Sequence, residues 1–513
     1  MTTYDQLPWR TGRKVGRTIY AQVGPQPSDA DVLIGLMDTP LYAELTCRDH
    51  NAALPPPVGW PHPLPLDQMA ASPRKVFAHY VPSLPISVDN KPPNVDYYQT
   101  QYLTPGGEGG KHKAYGGWMR DRPLGRDPYP AGVDWLAKDA ETEVANAAAY
   151  GIDGFTVNLF NFPGEGSDAG TKRNARVVQC LLDAANNHGG FTVCLMPDMT
   201  SGPGRKTADE LAAAIAKVAA ANPACYRLDD GRLVVAPFHA ETHPVDWWKQ
   251  FLLLLTGTYN TPVAFWPLFL SATAHIDEYA PIAYGITEWG TRDPTGSSPT
   301  GSAARIKAAR AKGLKWMQPV SVQDERPREG RFWEAQNTGN LRTTWQIAID
   351  NDADAVQLIT WNDHTEGTAN QPSMQHGRAF LDVSSYYAAW YKLGTPPTIL
   401  QDAVILTHRQ QPWQAKPSYP ETKLMKNAGQ TPPGDVVEAL SFLTAPALVT
   451  IDDLAPASAP AGVSATVAVL VTGSVSAEVT RDGKSVASVT SPYPVTDKPV
   501  VQDLGYVAAS SLP

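Results

Sequence analysis

The 513-residue chain predicts an α/β protein: a (β/α)8 TIM barrel with a small N-terminal α/β module and a C-terminal β-sandwich. Three observations predict it. Eight short apolar runs alternate with helical patterns between residues 75 and 394, as in a barrel whose strands are buried on both faces. Residues 1–53 pair strand-like runs with a single helix. From residue 395 onward helical signals give way to short strands broken by turns.

In the N-terminal module, RTIYAQV (17–23) and DVLIGLM (31–37) have strand composition and flank the turn cluster GPQPSD. Thr39-Pro40 then opens a helix, with Thr as cap and Pro at the first helical position. PPPVGWPHPLPL (55–66) reads as a stiff extended segment, so residues 54–74 are expected to form a proline-rich linker. The barrel strands are expected at 75–81, 154–160, 191–198, 232–239, 262–270, 281–287, 314–321 and 355–361. Helices are expected at 134–151, at 207–222 behind the capping-box pair Thr207 and Glu210, at 340–352 and at 377–394. Past residue 395, VVEALSFL, ALVTIDD, VSATVAVLVTG, SAEVTRDG and SVASVTS carry the sandwich, with a turn at Asp482-Gly483.

An apolar fraction of 42%, with 14 Trp and 20 Tyr, suffices for a large core and excludes a disordered chain. A net charge of −9 without a Lys/Arg stripe argues against nucleic acid and anionic membranes as partners. Many aromatics with little charge suit stacking on neutral rings such as sugars, although a core uses the same residues. Cys47, Cys180, Cys194 and Cys225 form no C-x-x-C pair, so neither a zinc site nor a disulfide framework is expected; Cys194 reads as a buried thiol. No cofactor or metal is expected. The first twenty residues lack the apolar stretch of a secretory signal, and FLLLL (251–255) is too short to span a bilayer.

In a barrel of this kind chemistry gathers where the strands end at their carboxyl termini. His79 ends the first strand, Asn158 the second, Asp198 the third, and His239 with Glu241 the fourth. Glu288 and Trp289 follow the sixth, and Gln323 and Asp324 the seventh. The eighth is followed by TWNDHTEGT (360–368), which holds Trp361, Asn362, Asp363 and Glu366. A ring of carboxylates, imidazoles and indoles fits glycoside cleavage, in which one carboxyl protonates the leaving oxygen and another activates water or attacks. Each residue also has a structural reading. Asn158 and Asp198 could be caps or turn formers, His79 a core histidine and Glu288 a framework acid; an Asp/His/Glu trio could hold a cation. Asp363 and Glu366 are the hardest to explain that way, because adjacent acids repel. The long segment 82–133, with Tyr115, Trp118, Arg120 and Asp121, is expected to wall a cleft.

KVFAHYV, GIDGFTVNLF and ITWNDHTEG resemble glycoside hydrolase family 71, the endo-α-1,3-glucanases, over roughly residues 75–400. ILTHRQQPW (405–413) is similar to the stretch that follows the barrel there. The Asn-acid-x-x-acid spacing, which is shared with the family 99 endomannosidases, is Asn362, Asp363, Glu366 here. The chain departs from the family pattern at His364-Thr365 and at ITEWGT, which puts α-1,3-glucan in question as the substrate. The resemblance implies Glu366 as general acid and Asp363 as general base, with inversion. Sugar contacts are expected from the strand-end residues His79, Asn158, Asp198, His239, Glu288, Trp289, Trp361 and Asn362, and from Trp118 of the long segment 82–133. Glu288 with Asp324 is the fallback acid pair. GRTIYAQVGPQPSDADVLIGLMDTP and the segment from FAHYVPSL to WMRDRPL look like minor tail proteins of actinobacteriophages. That context implies a virion location, other tail proteins and a host envelope polysaccharide as partners, and leaves homo-oligomerisation open. Two readings follow: a tail-borne glycosidase, or a tail protein that binds host glycan without cutting it.

Overall fold

The computed structural model describes residues 7–23, 27–53, 59–61 and 64–513. The chain divides into two compact units, residues 1–58 and 59–513. In the first, strands Trp9–Thr11, Thr18–Ala21 and Val32–Leu36 form an antiparallel sheet, joined by the helix Pro40–Ala53. Thr39 caps that helix, its Oγ1 accepting the Tyr42 amide at 3.2 Å. Ile19, Ala43 and Cys47 make its small core.

The second unit is built on eight barrel strands. They are β1 (Lys75–Tyr80), β2 (Gly154–Leu159), β3 (Thr192–Pro197), β4 (Leu233–Val235), β5 (Val263–Phe265 and Leu268–Phe269), β6 (Gly285–Glu288), β7 (Lys315–Val320) and β8 (Ala355–Leu358). Every pairing is parallel. The sheet order starts at Val263–Phe265, passes through β4, β3, β2, β1, β8, β7 and β6, and ends at Leu268–Phe269. Its two ends are therefore halves of one strand, and the barrel closes. Pro267, which has no amide to donate, lies at the break.

Strand periodicity sorts the side chains. Phe77, Cys194, Met196, Val234, Ala264, Met317 and Ala355 fill the barrel interior. Their neighbours Val76, Phe155, Val157, Leu195, Ile286, Trp316 and Val356 face the surrounding helices. The helix Trp135–Ala149 is capped by Asp134, and Ala208–Ala221 by the Thr207–Glu210 box. Ala169–His188, behind its own box at Asp168, is a helix the sequence reading did not single out.

The expected linker over 54–74 requires correction. Residues 54–58 and 62–63 lie outside the described residues. Trp60 is fully buried, stacks on Phe442 at 4.0 Å and donates from Nε1 to the Asp382 carbonyl at 3.0 Å. Residues Leu66–Ala71 are helical. An indole that can bury its ring and satisfy its N–H belongs to a core rather than a solvated spacer.

Two four-stranded antiparallel sheets follow the barrel. Val404, Leu406, Val437, Val449, Ile451 and Val479 pack between them. The other face of the first sheet (Ile405, Leu440, Phe442, Tyr506) joins the hydrophobic layer around the barrel. That sheet is buried on both sides, so barrel and sandwich form one unit rather than separable domains. All four cysteines are buried and free. Among the described residues, no helix is long and apolar enough to cross a membrane.

Candidate active site

The turn after β8 carries the acid pair at the carboxyl-terminal mouth. Its shape follows from Asp363. Oδ1 of Asp363 accepts from the Thr365 amide at 2.9 Å, the Thr365 hydroxyl at 2.6 Å and the Glu366 amide at 3.1 Å. Thr360 Oγ1 in turn accepts the Asp363 amide at 2.7 Å. Such local bonds are what Asp offers a turn. Because all three donors go to Oδ1, the carboxylate is fixed in orientation while Oδ2 stays available. Burial raises the Asp363 pKa, and the Thr365 hydroxyl, Arg326 and the turn amides pull it back.

Glu366 projects from the same turn, with its side chain 21% exposed. Burial, followed by the charge of Asp363, pushes its carboxyl up to about 8; Asp324 adds to this, while Arg326 and Arg292 oppose it. Burial raises both acids of the turn, and the neighbouring charge of Asp363 raises Glu366 further, the direction a proton donor needs. Arg326 Nη2 lies 2.8 Å from Glu366 Oε2. The same guanidinium forks onto Asp324 with two bonds of 2.7 Å. Arg292 Nε lies 3.5 Å from Asp324 Oδ2. Arg292 also donates to the carbonyls of Trp289 and Gly290, both at 2.8 Å, and lies over the Trp289 ring at 5.1 Å. Neither arginine was singled out in the sequence; for Arg326 the signal was its place directly after the acids Asp324-Glu325.

Below this cluster lies the polar interior of the barrel. His79 meets the Trp289 ring edge to face at 4.9 Å, and Trp289 meets Phe238 at 5.0 Å. Burial, with help from Arg292, holds the His79 imidazole neutral by lowering its pKa to about 3. Asn158 Nδ2 donates to Asp198 Oδ2 at 3.1 Å. Asp198 Oδ1 accepts from the Thr200 amide at 2.8 Å and its hydroxyl at 2.6 Å. His239, in left-handed backbone conformation, lies 3.7 Å from Glu241, whose Oε1 takes the Leu270 amide at 2.8 Å.

Four expected sugar contacts have other employment. Glu288 shares strand parity with outward-facing Ile286 and is ion-paired to Arg305 at 2.9 Å, so it and the fallback pair it headed are set aside. Asp324 is committed to Arg326 and Arg292. Asn362 is fully buried; its Oδ1 accepts the Val81 amide at 2.7 Å, and its Nδ2 donates to the carbonyls of Val81 and Leu84 at 3.0 and 2.8 Å. It clamps the loop leaving β1. Trp361 is fully buried in the layer outside the barrel, 5.2 Å from the Phe155 ring. Trp118 packs on Tyr102 at 4.5 Å within the insertion's own small core.

That insertion and the sandwich brace the mouth. Arg120 Nε donates to the Gln502 carbonyl at 2.6 Å, and Asp121 Oδ1 accepts the Gln375 amide at 3.0 Å. The Glu325 amide bonds the Glu366 carbonyl at 2.7 Å, while the Glu325 carboxyl accepts the Leu504 amide at 2.6 Å. Gln323 Oε1 accepts the Tyr506 amide at 2.7 Å, a framework duty the sequence did not suggest. Arg409 and Glu334, both buried, pair at 2.8 Å. Glu334 also receives the Tyr506 hydroxyl at 2.5 Å, and Arg409 donates to the Leu504 carbonyl at 2.8 Å.

A closed parallel barrel with two acids on the turn after β8, at its carboxyl-terminal mouth, fits a glycoside hydrolase. The family profile for glycosyl hydrolase family 71 matches residues 132–505, and the chain belongs to that family. The match begins at the end of the insertion, beyond β1, and runs through most of the sandwich, which agrees with the packing of barrel and sandwich as one unit. Among solved structures, the family 99 endo-α-mannosidase from Bacteroides thetaiotaomicron is similar at 15% identity and TM-score 0.47, over 62% of this chain and 97% of that one. A glycosyl hydrolase family 2 member from Bacteroides cellulosilyticus is similar at 11% identity and TM-score 0.39, over 69% of this chain and 43% of that one. A search of curated proteins returned no match.

Proposed function

We propose that this hydrolase cleaves an α-linked polysaccharide of a host cell envelope from within the chain, with inversion, while carried on a phage tail. The observation that carries the chemistry is the Asp363–Glu366 turn. Glu366 gives its proton to the glycosidic oxygen as the bond to the anomeric carbon breaks. A water held by Asp363 Oδ2 attacks that carbon from the opposite face and passes its proton to Asp363. Family membership supports the α-linkage. The tail setting rests on the likeness of residues 16–40 and 77–124 to actinobacteriophage minor tail proteins. Incubation with purified actinobacterial wall polysaccharide, read as new reducing ends, tests the proposal; proton NMR of the first-formed anomer tests inversion. Binding without release of ends identifies a glycan-binding tail protein instead.

Protonation sets the pH response. The base must be ionised, so kcat/KM rises through the Asp363 pKa, which lies above the ordinary carboxylate value. The acid must be protonated, so kcat/KM falls as pH passes about 8. The same raised pKa favours the folded state at acid pH, and that contribution is lost between the unfolded value of about 4.3 and the folded one. A profile flat from pH 6 to 10 would remove Glu366 from the acid role.

The N-terminal unit is expected to serve attachment. A chain beginning at Gly59, which keeps Trp60 in the core, retains hydrolysis. A folded protein of that length without activity contradicts this.

A further inference from the structure

We infer that Arg326 is the positioning residue of the acid, holding Glu366 by one oxygen and stabilising the carboxylate left once its proton has moved to the leaving group. The inference rests on the assignment of Glu366 as general acid and deepens it.

The geometry is specific. Of the Arg326 guanidinium, Nε and Nη2 are committed to the two oxygens of Asp324 at 2.7 Å each. Glu366 Oε2 lies 2.8 Å from the same Nη2, an ion-pair contact. Nη1 faces Glu329 Oε1 at 3.7 Å, and the group lies over the Trp333 ring at 5.2 Å. Asp324 is itself backed by Arg292 at 3.5 Å. The guanidinium is therefore oriented before Glu366 meets it, and a planar fork so fixed holds its positive charge against Glu366 Oε2. The bond between the Glu325 amide and the Glu366 carbonyl, at 2.7 Å, fixes the backbone to the short strand Asp324–Arg326.

This arrangement separates the two oxygens of Glu366. Oε2 faces the Arg326 charge as an ion pair, so Oε1 is the oxygen that presents the proton. During bond cleavage the proton leaves Oε1 and the negative charge spreads over both oxygens, where a fixed cation adjoins one of them. The charged groups facing Glu366 are Asp363 and Asp324, which favour its protonated form, and Arg326 and Arg292, which favour its ionised form. Two cations against two anions leave Glu366 poised to cycle between both states.

The test compares Arg326→Gln and Arg326→Lys in the full chain, on the polysaccharide that the wild type hydrolyses. Arg326→Gln is expected to lower kcat about 100-fold with little change in KM, as displacement of a reacting group does. Loss of the cation should also move the alkaline limb of kcat/KM to higher pH. Arg326→Lys keeps the charge but cannot fork onto both oxygens of Asp324, so it should keep the limb near its wild-type position and recover part of kcat. Carbon-13 NMR titration of the Glu366 carboxyl gives a second readout independent of turnover, and Arg326→Gln should raise that pKa. A variant whose limb and carboxyl titration stay in place refutes the positioning role, even if kcat or melting temperature falls. Glu366→Gln in the same assays separates the two ideas: if it retains the wild-type rate and limb, the acid assignment fails rather than the role of Arg326.

Discussion

Glu366→Gln should lower hydrolysis of the natural glycan by about 10²–10⁴-fold, the usual worth of a positioned general acid. Asp363→Asn should lower it comparably by removing the base. An activated leaving group, such as a dinitrophenyl glycoside, needs no proton. It should restore much of the rate to Glu366→Gln and none to Asp363→Asn. Asp363→Asn carries an added risk, because Oδ1 also organises the turn through three hydrogen bonds. The side-chain carbonyl of Asn can accept those same bonds, so its melting temperature should stay close to wild type. Full activity of both variants on the natural glycan would place the chemistry elsewhere.

Arg409→Met should have the largest effect on stability. Arg409 and Glu334 are each about 1% exposed and pair at 2.8 Å. Removing one partner of such a pair leaves a charge uncompensated in the interior, at a cost of about 3–5 kcal/mol. The second variant, Arg409→Met with Glu334→Gln, removes the stranded charge and should recover part of the loss. Urea unfolding of the three proteins measures both effects. Equal midpoints for wild type and Arg409→Met would mean that the pair adds nothing. If the double variant is less stable than the single one, Glu334 matters through its bond from Tyr506 rather than through its charge.

Much of the barrel was legible because strands buried on both faces leave unmistakable runs. KVFAHYV, GFTVNLF, FTVCLMPD and LKWMQPVS became strands to within a residue at each end. The turn with Asp363 and Glu366 was legible too, since two acids immediately after such a run have few structural uses. Residues at strand ends were read less well, because position in sequence says which end a residue occupies but not which way it points. Parity would have helped. His79, Asn158 and Asp198 share the register of interior Phe77, Thr156 and Met196, whereas Glu288 follows Ile286 outward. Asn362 and Trp361 lie past the last regular strand residue, where parity no longer applies. The partners of Gln323, Glu325 and Glu334 come from residues 409 and 504–506, a separation that no local pattern reveals. The same is true of Trp60, whose partner is Phe442.

Those distant partners have a consequence for how the enzyme is made. The acids leave the ribosome well before Leu504 and Tyr506, which hold Glu325, Glu334 and Gln323 beneath them. A nascent chain can close its eight-stranded barrel and still lack the supports of the Glu366 turn. A product stopped within the sandwich would carry both acids and the bonds of their own turn, but not those that Leu504 and Tyr506 make to Glu325, Gln323 and Glu334.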